Sequence, residues 1–271
     1  MNDQELIPAL VDLTRAAGRA ILEIYGEAFA VETKADESPL TQADLNAHRV
    51  IAKGLQSIAP ELPIVSEEAA LPAWSQRQGW TRYWLVDPLD GTKEFVNRNG
   101  EFTVNIALIE GGRAILGVVG VPVRDHVYAG YVPAARAEKH TSSGVVPLAV
   151  RRMAGRKSLA VVASRSHGGE RLENYIGALR AHFDEVDRTP IGSSLKLCLL
   201  AEGGADLYPR LGPTSEWDIA AAHAVLAAAG GALWRLDRSP LAYNTKESFL
   251  NPDFVAVADP TFDWWRVLPD L

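Results

Sequence analysis

The sequence predicts an α/β protein in which sheets and helices stack in layers. Three observations carry this. Apolar residues near the N-terminus recur at helical spacing, the stretch from Phe102 to Val132 reads as successive strands, and the region after Leu159 alternates strand-like with helix-like segments. With 271 residues the chain can form one large domain, or two smaller ones, around a sizeable core.

Leu6, Leu10, Leu13, Ala17, Ile21 and Ile24 make one apolar stripe, which predicts an amphipathic first helix. Lys34 to Pro39 is polar and turn-forming. Thr41 is placed to cap a second helix carrying Val50, Ile51, Leu55 and Ile58. Pro63 to Ser66 and Tyr83 to Val86 read as short strands. Phe102–Ile109, Ala114–Val121 and His126–Val132 follow as strands, with Gly111-Gly112 between the first two, so an antiparallel meander is expected.

Arg136 to Arg156 is basic and expected to be irregular. It separates an N-terminal α+β subdomain, residues 1–145, from a C-terminal α/β subdomain, residues 146–271. In the second part we expect a strand at Leu159–Ala163, a helix at Glu170–Ala181, a strand near Asp184–Asp187, a helix at Ser193–Ala201 and a strand near Asp206–Tyr208. A long helix is expected from Glu216 to Ala229, stopped by Gly230-Gly231. Phe254 to Val257 reads as a late strand, and Trp264 and Trp265 as packing residues of a short terminal helix.

Composition narrows the function. Hydrophobic residues make up 47% and charged residues 23%, as in an ordinary globular protein. A net charge of −7 argues against a nucleic-acid polymer as partner. It leaves room for a phosphorylated small molecule, because a bound cation can reverse the local field. Cys198 sits in the apolar run Leu197-Cys198-Leu199-Leu200 and reads as a buried small hydrophobe in a reducing compartment. The first five residues are acidic and lack a signal-peptide pattern. No apolar stretch reaches the ~18–20 residues of a membrane span. The expected location is the cytoplasm, with peripheral association at the inner membrane face left open.

The chemistry lies in acidic residues at the ends of apolar runs. Glu67 and Glu68 follow one such run, Asp87 and Asp90 follow the next within Asp87-Pro88-Leu89-Asp90-Gly91-Thr92, and Asp218 comes much later. Hard oxygen ligands gathered from separate elements suit Mg²⁺, which leaves room for substrate phosphate. In a continuous strand Asp87 and Asp90 would face opposite ways. Pro88 and Gly91 are expected to end the strand in a turn that aims both carboxylates and the Leu89 carbonyl to one side. The other reading of this segment alone is an Asp-capped turn. A covalent phospho-aspartate mechanism is excluded, because Pro88 stands where the nucleophile of an Asp-x-Asp-Gly-Thr motif would be. The ligand spacing of an EF-hand loop is absent as well.

Elsewhere both readings stay open. Glu67 and Glu68 are a solvated acidic pair or a metal ligand with its neighbour. Asp218 follows Ser215 by three residues, and Asp44 follows Thr41 by three, so each is a capping residue or part of a site. Gly192-Ser193-Ser194 opens a helix ahead of Lys196 and either caps it or binds a phosphate or ribose. Ser164 and Arg165 follow a strand, where ligand loops are common. Arg165 faces a phosphate or pairs with a surface acid. His167 reads as a polar loop residue.

Taken together these segments resemble the inositol monophosphatase-like metal-dependent phosphatases, over nearly the whole chain. Within them the resemblance is closest to the 3′(2′),5′-bisphosphate nucleotidase subfamily of CysQ type. It is carried by Ser66-Glu67-Glu68, Asp87 through Phe95, Asn99 through Ala107, Ser164 through His167, Ile191 through Lys196, Trp217-Asp218 and Glu247 through Pro252. Lys93-Glu94-Phe95 stands where general inositol phosphatases have Thr-Asn-Phe. The resemblance implies a layered αβαβα sandwich of the sugar-phosphatase type.

It also implies roles. Glu67, Asp87 and the Leu89 carbonyl would hold one Mg²⁺, and Asp87, Asp90 and Asp218 a second. A third, weaker ion would sit near Glu67 and Asp44. Thr92 would orient the attacking water, and Glu68 or Asp44 would take its proton. The N–H groups of Gly91 and Thr92 would meet phosphate oxygens, and Ser164, Arg165, Gly192, Ser193, Ser194 and Lys196 would line the substrate. The implied reaction is in-line hydrolysis of the 3′-phosphate of 3′-phosphoadenosine 5′-phosphate to AMP and phosphate, with the phosphosulfate analogue as a further substrate. An inositol or sugar monophosphatase is the alternative enzyme, and a catalytically silent nucleotide-binding protein the alternative of another class. The assembly is a monomer or homodimer.

Overall fold

The computed structural model describes residues 3–26, 32–33, 39–40, 42–165 and 169–269. Thr41, Ser166, His167 and most of Lys34 to Pro39 therefore lie outside the described residues, and with them the expected Thr41 cap.

Seven strands form the larger sheet in the order β3-β4-β5-β6-β7-β8-β9. They are β3 (Ile64–Ser66), β4 (Arg82–Asp90), β5 (Thr103–Glu110), β6 (Arg113–Val121), β7 (His126–Tyr131), β8 (Arg136–Thr141) and β9 (Gly144–Pro147). From β4 onward the pairing is antiparallel, the expected meander, while β3 joins β4 in parallel. A two-stranded sheet, β1 (Glu32–Thr33) with β2 (Pro39–Leu40), lies between the first two helices in sequence.

The expectation of irregular chain across Arg136 to Arg156 is corrected in its first half. Residues 136–147 form an edge hairpin. The hairpin lies at a sheet margin, where all four residues of β9 are solvent-exposed and only Ala137 and Glu138 of β8 are buried.

The smaller sheet has the order β11-β10-β12-β14-β13, from β10 (Ser158–Ser164), β11 (Glu185–Ile191), β12 (Leu207–Arg210), β13 (Ala232–Arg235) and β14 (Phe254–Val257). β13 is an addition to the sequence reading.

Helices α1 (Ile7–Tyr25) and α2 (Gln42–Ile58) cover the outer face of the large sheet, burying Leu10, Ile21, Ile51 and Leu55. Its inner face receives α7 (Glu216–Ala228), with α6 (Leu195–Ala201) alongside, and their core reaches Tyr208 and Phe254 of the smaller sheet. Helix α5 (Gly169–Leu179) and the terminal turn at Trp264 cover the far side. Two short helices, α3 (Trp74–Arg77) and α4 (Thr92–Val96), are also present among the described residues. The layers therefore run αβαβα. Cys198 is fully buried in the central layer, and burial pushes its thiol up, out of reach of thiolate chemistry.

One close approach fixes the height of α7. Gly117 and Gly130 are cross-strand partners on β6 and β7. A Cβ at Gly117 would fall 2.0 Å from the Ala221 carbonyl oxygen, and one at Gly130 would fall 2.5 Å from the Val225 Cα. The paired glycines make a flat patch on which the alanine-rich helix rests, and Asp218 sits in the first turn of that helix.

Candidate active site

β4 carries the first acids. Asp87 pairs with Asn105 and Asp90 with Thr103, so three steps along β4 match two along β5. The extra residue is a bulge. It cancels the odd spacing and turns Asp87 and Asp90, otherwise on opposite faces, to the same side. The expected sharp stop at Pro88 is thus corrected: the strand continues to Asp90 with a bulge inside it. The Leu89 N–H donates to Asp87 Oδ1 at 3.0 Å, which holds the turned carboxylate in place. Gly91, at φ 92°, then makes a left-handed step into α4 that side chains rarely adopt.

Glu67 at the end of β3 and Asp218 in the first turn of α7 complete a cluster with Asp87. One carboxylate oxygen from each lies within 4.8 Å of the other two. Asp218 Oδ2 accepts the Ser215 N–H at 2.9 Å, so the capping geometry and the cluster coexist. Asp87 is buried, Asp218 half-buried and Glu67 exposed, an open edge through which an ion can enter.

Electrostatics fits a cation between these groups. Burial, then the negative charge of Glu67, Asp90, Asp218 and Asp44, pushes the Asp87 carboxyl well above the usual range. Burial and Asp90 do the same to Asp218, against the opposing Ser215 hydrogen bond. Acids that repel one another in this way offer a hard oxygen donor set for a divalent ion, and the residues present fit Mg²⁺.

Asp90 stands slightly apart from the cluster. Its Oδ2 accepts the Ser194 N–H at 2.5 Å. Burial raises its carboxyl to about 6, while Lys196 and the Ser194 contact pull it down. Ser194 is in turn held by β5, its Oγ donating to Asn105 Oδ1 at 2.7 Å and lying 2.8 Å from Thr103 Oγ1. Ser193 takes a left-handed φ of 48°, and its carbonyl accepts Lys196 Nζ at 2.5 Å. Lys196 is buried, and burial lowers its ammonium to about 8, an effect Asp90 opposes.

These groups line one pocket of about 280 Å³. Of the expected residues, Glu67, Asp90, Gly91, Thr92, Ser164, Gly192, Ser193, Ser194, Lys196 and Asp218 face it. Asp44 is buried in α2, and its charge reaches Asp87. The charge of Glu68 bears on His48, whose Nδ1 is 2.9 Å from Ser66 Oγ. Arg165 pairs with Glu101 at 2.9 Å and also donates to the Pro190 carbonyl, so of the two readings of this side chain the acid pair is the one observed.

Two residues of the site escaped the sequence reading. Arg210, at the end of β12, is buried in the pocket wall and donates to the Pro213 carbonyl at 2.6 Å. Glu101 accepts the Gly192 N–H at 2.9 Å and so fixes the loop before α6. A lone Arg after a strand carries no motif. The only prior signal for Glu101 was its place between Asn99 and Ala107.

Comparison with known proteins decides the family. The model of the inositol monophosphatase family matches residues 2–259. The chain belongs to the inositol monophosphatase family. Family members are metal-dependent phosphatases for which Mg²⁺ is typical. The chain is 50% identical to the 3′(2′),5′-bisphosphate nucleotidase CysQ of Shigella flexneri over 251 residues, which is 92% of this chain and 98% of that protein. It is 49% identical, with the same coverage, to the protein of that name from Escherichia coli K12. Among solved structures, CysQ from Bacteroides thetaiotaomicron superposes with a TM-score of 0.83 at 39% identity, covering 94% of this chain and 97% of that one. An inositol monophosphatase from Anabaena, at 24% identity and a TM-score of 0.77, shares the fold. No helix among the described residues is long and apolar enough to cross a membrane.

Proposed function

We propose that this chain is a Mg²⁺-dependent 3′(2′),5′-bisphosphate nucleotidase that hydrolyses the 3′-phosphate of 3′-phosphoadenosine 5′-phosphate to AMP and phosphate. Its phosphosulfate analogue, with the same 3′-phosphate, is a second substrate. One observation carries this reading. The carboxylate cluster borders a pocket that Lys196 and Arg210 also line. The acids suit metal and the reacting phosphate, and the two cations suit a second anionic group. An inositol monophosphate has no second phosphate to offer them.

Glu67, Asp87 and the Leu89 carbonyl would hold one ion, and Asp87, Asp218 and the remaining oxygen of Asp90 the other, with a third, weaker place near Glu67 and Asp44. When bound, such a pair of ions supplies charge neutralisation at phosphorus, a lowered pKa for the attacking water and stabilisation of the leaving oxygen. The protein's own part is positioning. The Thr92 hydroxyl orients the water, and Glu68 or Asp44 receives its proton. Gly91 lets the backbone approach the phosphate, with the Gly91 and Thr92 N–H groups toward its oxygens. Ser193 and Ser194 shape the side of the pocket, and Lys196 and Arg210 draw the second phosphate.

Phosphate release from 3′-phosphoadenosine 5′-phosphate and from inositol 1-phosphate, each with and without Mg²⁺, tests the proposal. Faster release from the nucleotide, only with Mg²⁺, is expected. Faster release from inositol phosphate would transfer the assignment to an inositol monophosphatase. No release from either would leave a binding protein.

A further inference from the structure

Arg77 is 2% exposed, an unusual place for a guanidinium. It lies on α3, ten positions after Glu67, and nothing in the catalytic scheme uses it. Its Cζ is 3.9 Å from the Phe249 ring centroid and 4.8 Å from that of Trp74, so the plane is held between two aromatic faces. Its Nη atoms donate to Asn244 Oδ1 and to the carbonyls of Lys246 and Glu247. Asn244 Nδ2 returns a hydrogen bond to the Arg77 carbonyl at 2.7 Å. One side chain thus gathers the whole turn from Asn244 to Phe249.

That turn holds the start of α7. The Asn244 N–H donates to both oxygens of Glu216, at 3.1 and 2.9 Å. The Glu216 N–H donates to the Phe249 carbonyl at 2.8 Å. Asn251 donates its N–H to the Thr214 carbonyl and its Nδ2 to the Ser215 carbonyl, each at 2.7 Å. Trp217 packs on Phe249 with ring centroids 5.0 Å apart. Residues 214–217 are therefore fastened by this turn, and Asp218 comes next.

We propose that Arg77 is a positioning residue for the metal site: it ties the segment that follows Glu67 to the turn that fixes Asp218, and so sets the distance between these two carboxylates. The inference rests on the reading of Glu67 and Asp218 as metal ligands. It explains a charge held in the interior by carbonyls and aromatic faces, where an apolar side chain would suffice for packing alone. Lysine keeps the charge but cannot span Asn244, Lys246 and Glu247 at once.

The test compares wild type with Arg77→Met, Arg77→Lys and, as an independent cut of the same clamp, Phe249→Leu. Leu172→Ala, in the core beneath α5, is the control for general loss of stability. Mg²⁺ affinity is measured by calorimetry without substrate, and exchange of the Glu216 and Asn251 amides by hydrogen–deuterium exchange. In the folded clamp variants Mg²⁺ affinity is expected to fall about ten-fold or more, the usual effect of losing a group that orients a metal ligand. The two amides exchange faster, kcat falls with KM little changed, and lysine restores part of each loss. The control keeps wild-type affinity. If Arg77→Met does not fold, Phe249→Leu carries the same expectation. Wild-type Mg²⁺ affinity in a folded clamp variant would overturn the proposal, as would an equal loss in the control. A wild-type protein that binds no Mg²⁺ would instead overturn the reading of the ligands.

Discussion

The backbone N–H of Ser194 donates to Asp90 Oδ2 at 2.5 Å, tying the residue before α6 to the bulged end of β4. The two residues are 104 positions apart. Their contact joins the acidic half of the pocket to the half that carries Lys196, and it passes through a carboxylate that a metal ion would also use.

Asp90→Asn separates these two uses. The amide oxygen still accepts from Ser194, so the fold is kept, while the charge is gone; without metal at pH 8 the thermal midpoint should be no lower than that of wild type. Phosphate release should fall about 10²-fold or more, the scale on which loss of one preorganised group in a site is felt. Unchanged release would remove Asp90 from the chemistry.

The raised carboxyls predict how metal binding responds to pH. Asp90 sits at about 6, and Asp87 and Asp218 lie well above their ordinary values. A carboxyl whose folded pKa exceeds its unfolded pKa gives stability that is present in acid and lost as pH rises through the folded pKa. The metal-free protein therefore loses this contribution between about pH 4 and pH 6 for Asp90, and at higher pH for the other two. Mg²⁺ must displace the same protons. The rise in melting temperature on adding Mg²⁺ should be larger at pH 8 than at pH 5. An equal rise at both would contradict the ligand set.

Arg210 should distinguish substrates. Removing one partner of a charge-assisted contact costs on the order of 1.5–3 kcal/mol, or roughly 10- to 100-fold. Arg210→Met should raise KM for 3′-phosphoadenosine 5′-phosphate by that factor and leave any turnover of inositol 1-phosphate nearly unchanged. Equal losses on both substrates would mean that Arg210 serves the fold rather than the second phosphate.

Gly117 tests how α7 is seated. A methyl group there meets backbone, not a yielding side chain, 2.0 Å from the Ala221 oxygen. Gly117→Ala should lose roughly 3 kcal/mol by urea unfolding, toward the upper end of overpacking costs, and should weaken Mg²⁺ binding through Asp218. Gly177→Ala, on α5 with nothing within 4 Å of the added methyl, should gain up to about 1 kcal/mol. Two similar losses would argue against the close approach.

Elements with strong local periodicity are legible in the amino-acid order alone. The stripe from Leu6 to Ile24, the successive strand segments of β5 to β7 and the glycine stop after α7 depend on neighbours a few residues apart, and each element appears where these local signals place it. The order also showed which acids were available, since Glu67, Asp87 and Asp218 stand beside apolar runs in the chain. The remainder depends on contacts between distant parts of the chain. The bulge that turns Asp87 and Asp90 together exists only against Asn105 and Thr103 of the next strand. The edge hairpin at 136–147 carries no full apolar face because little covers it. Arg77 and Arg210 owe their burial to loops and strands that are distant in sequence or carry no motif. A side chain's partners across such separations are set by packing of whole layers, which short-range periodicity does not encode.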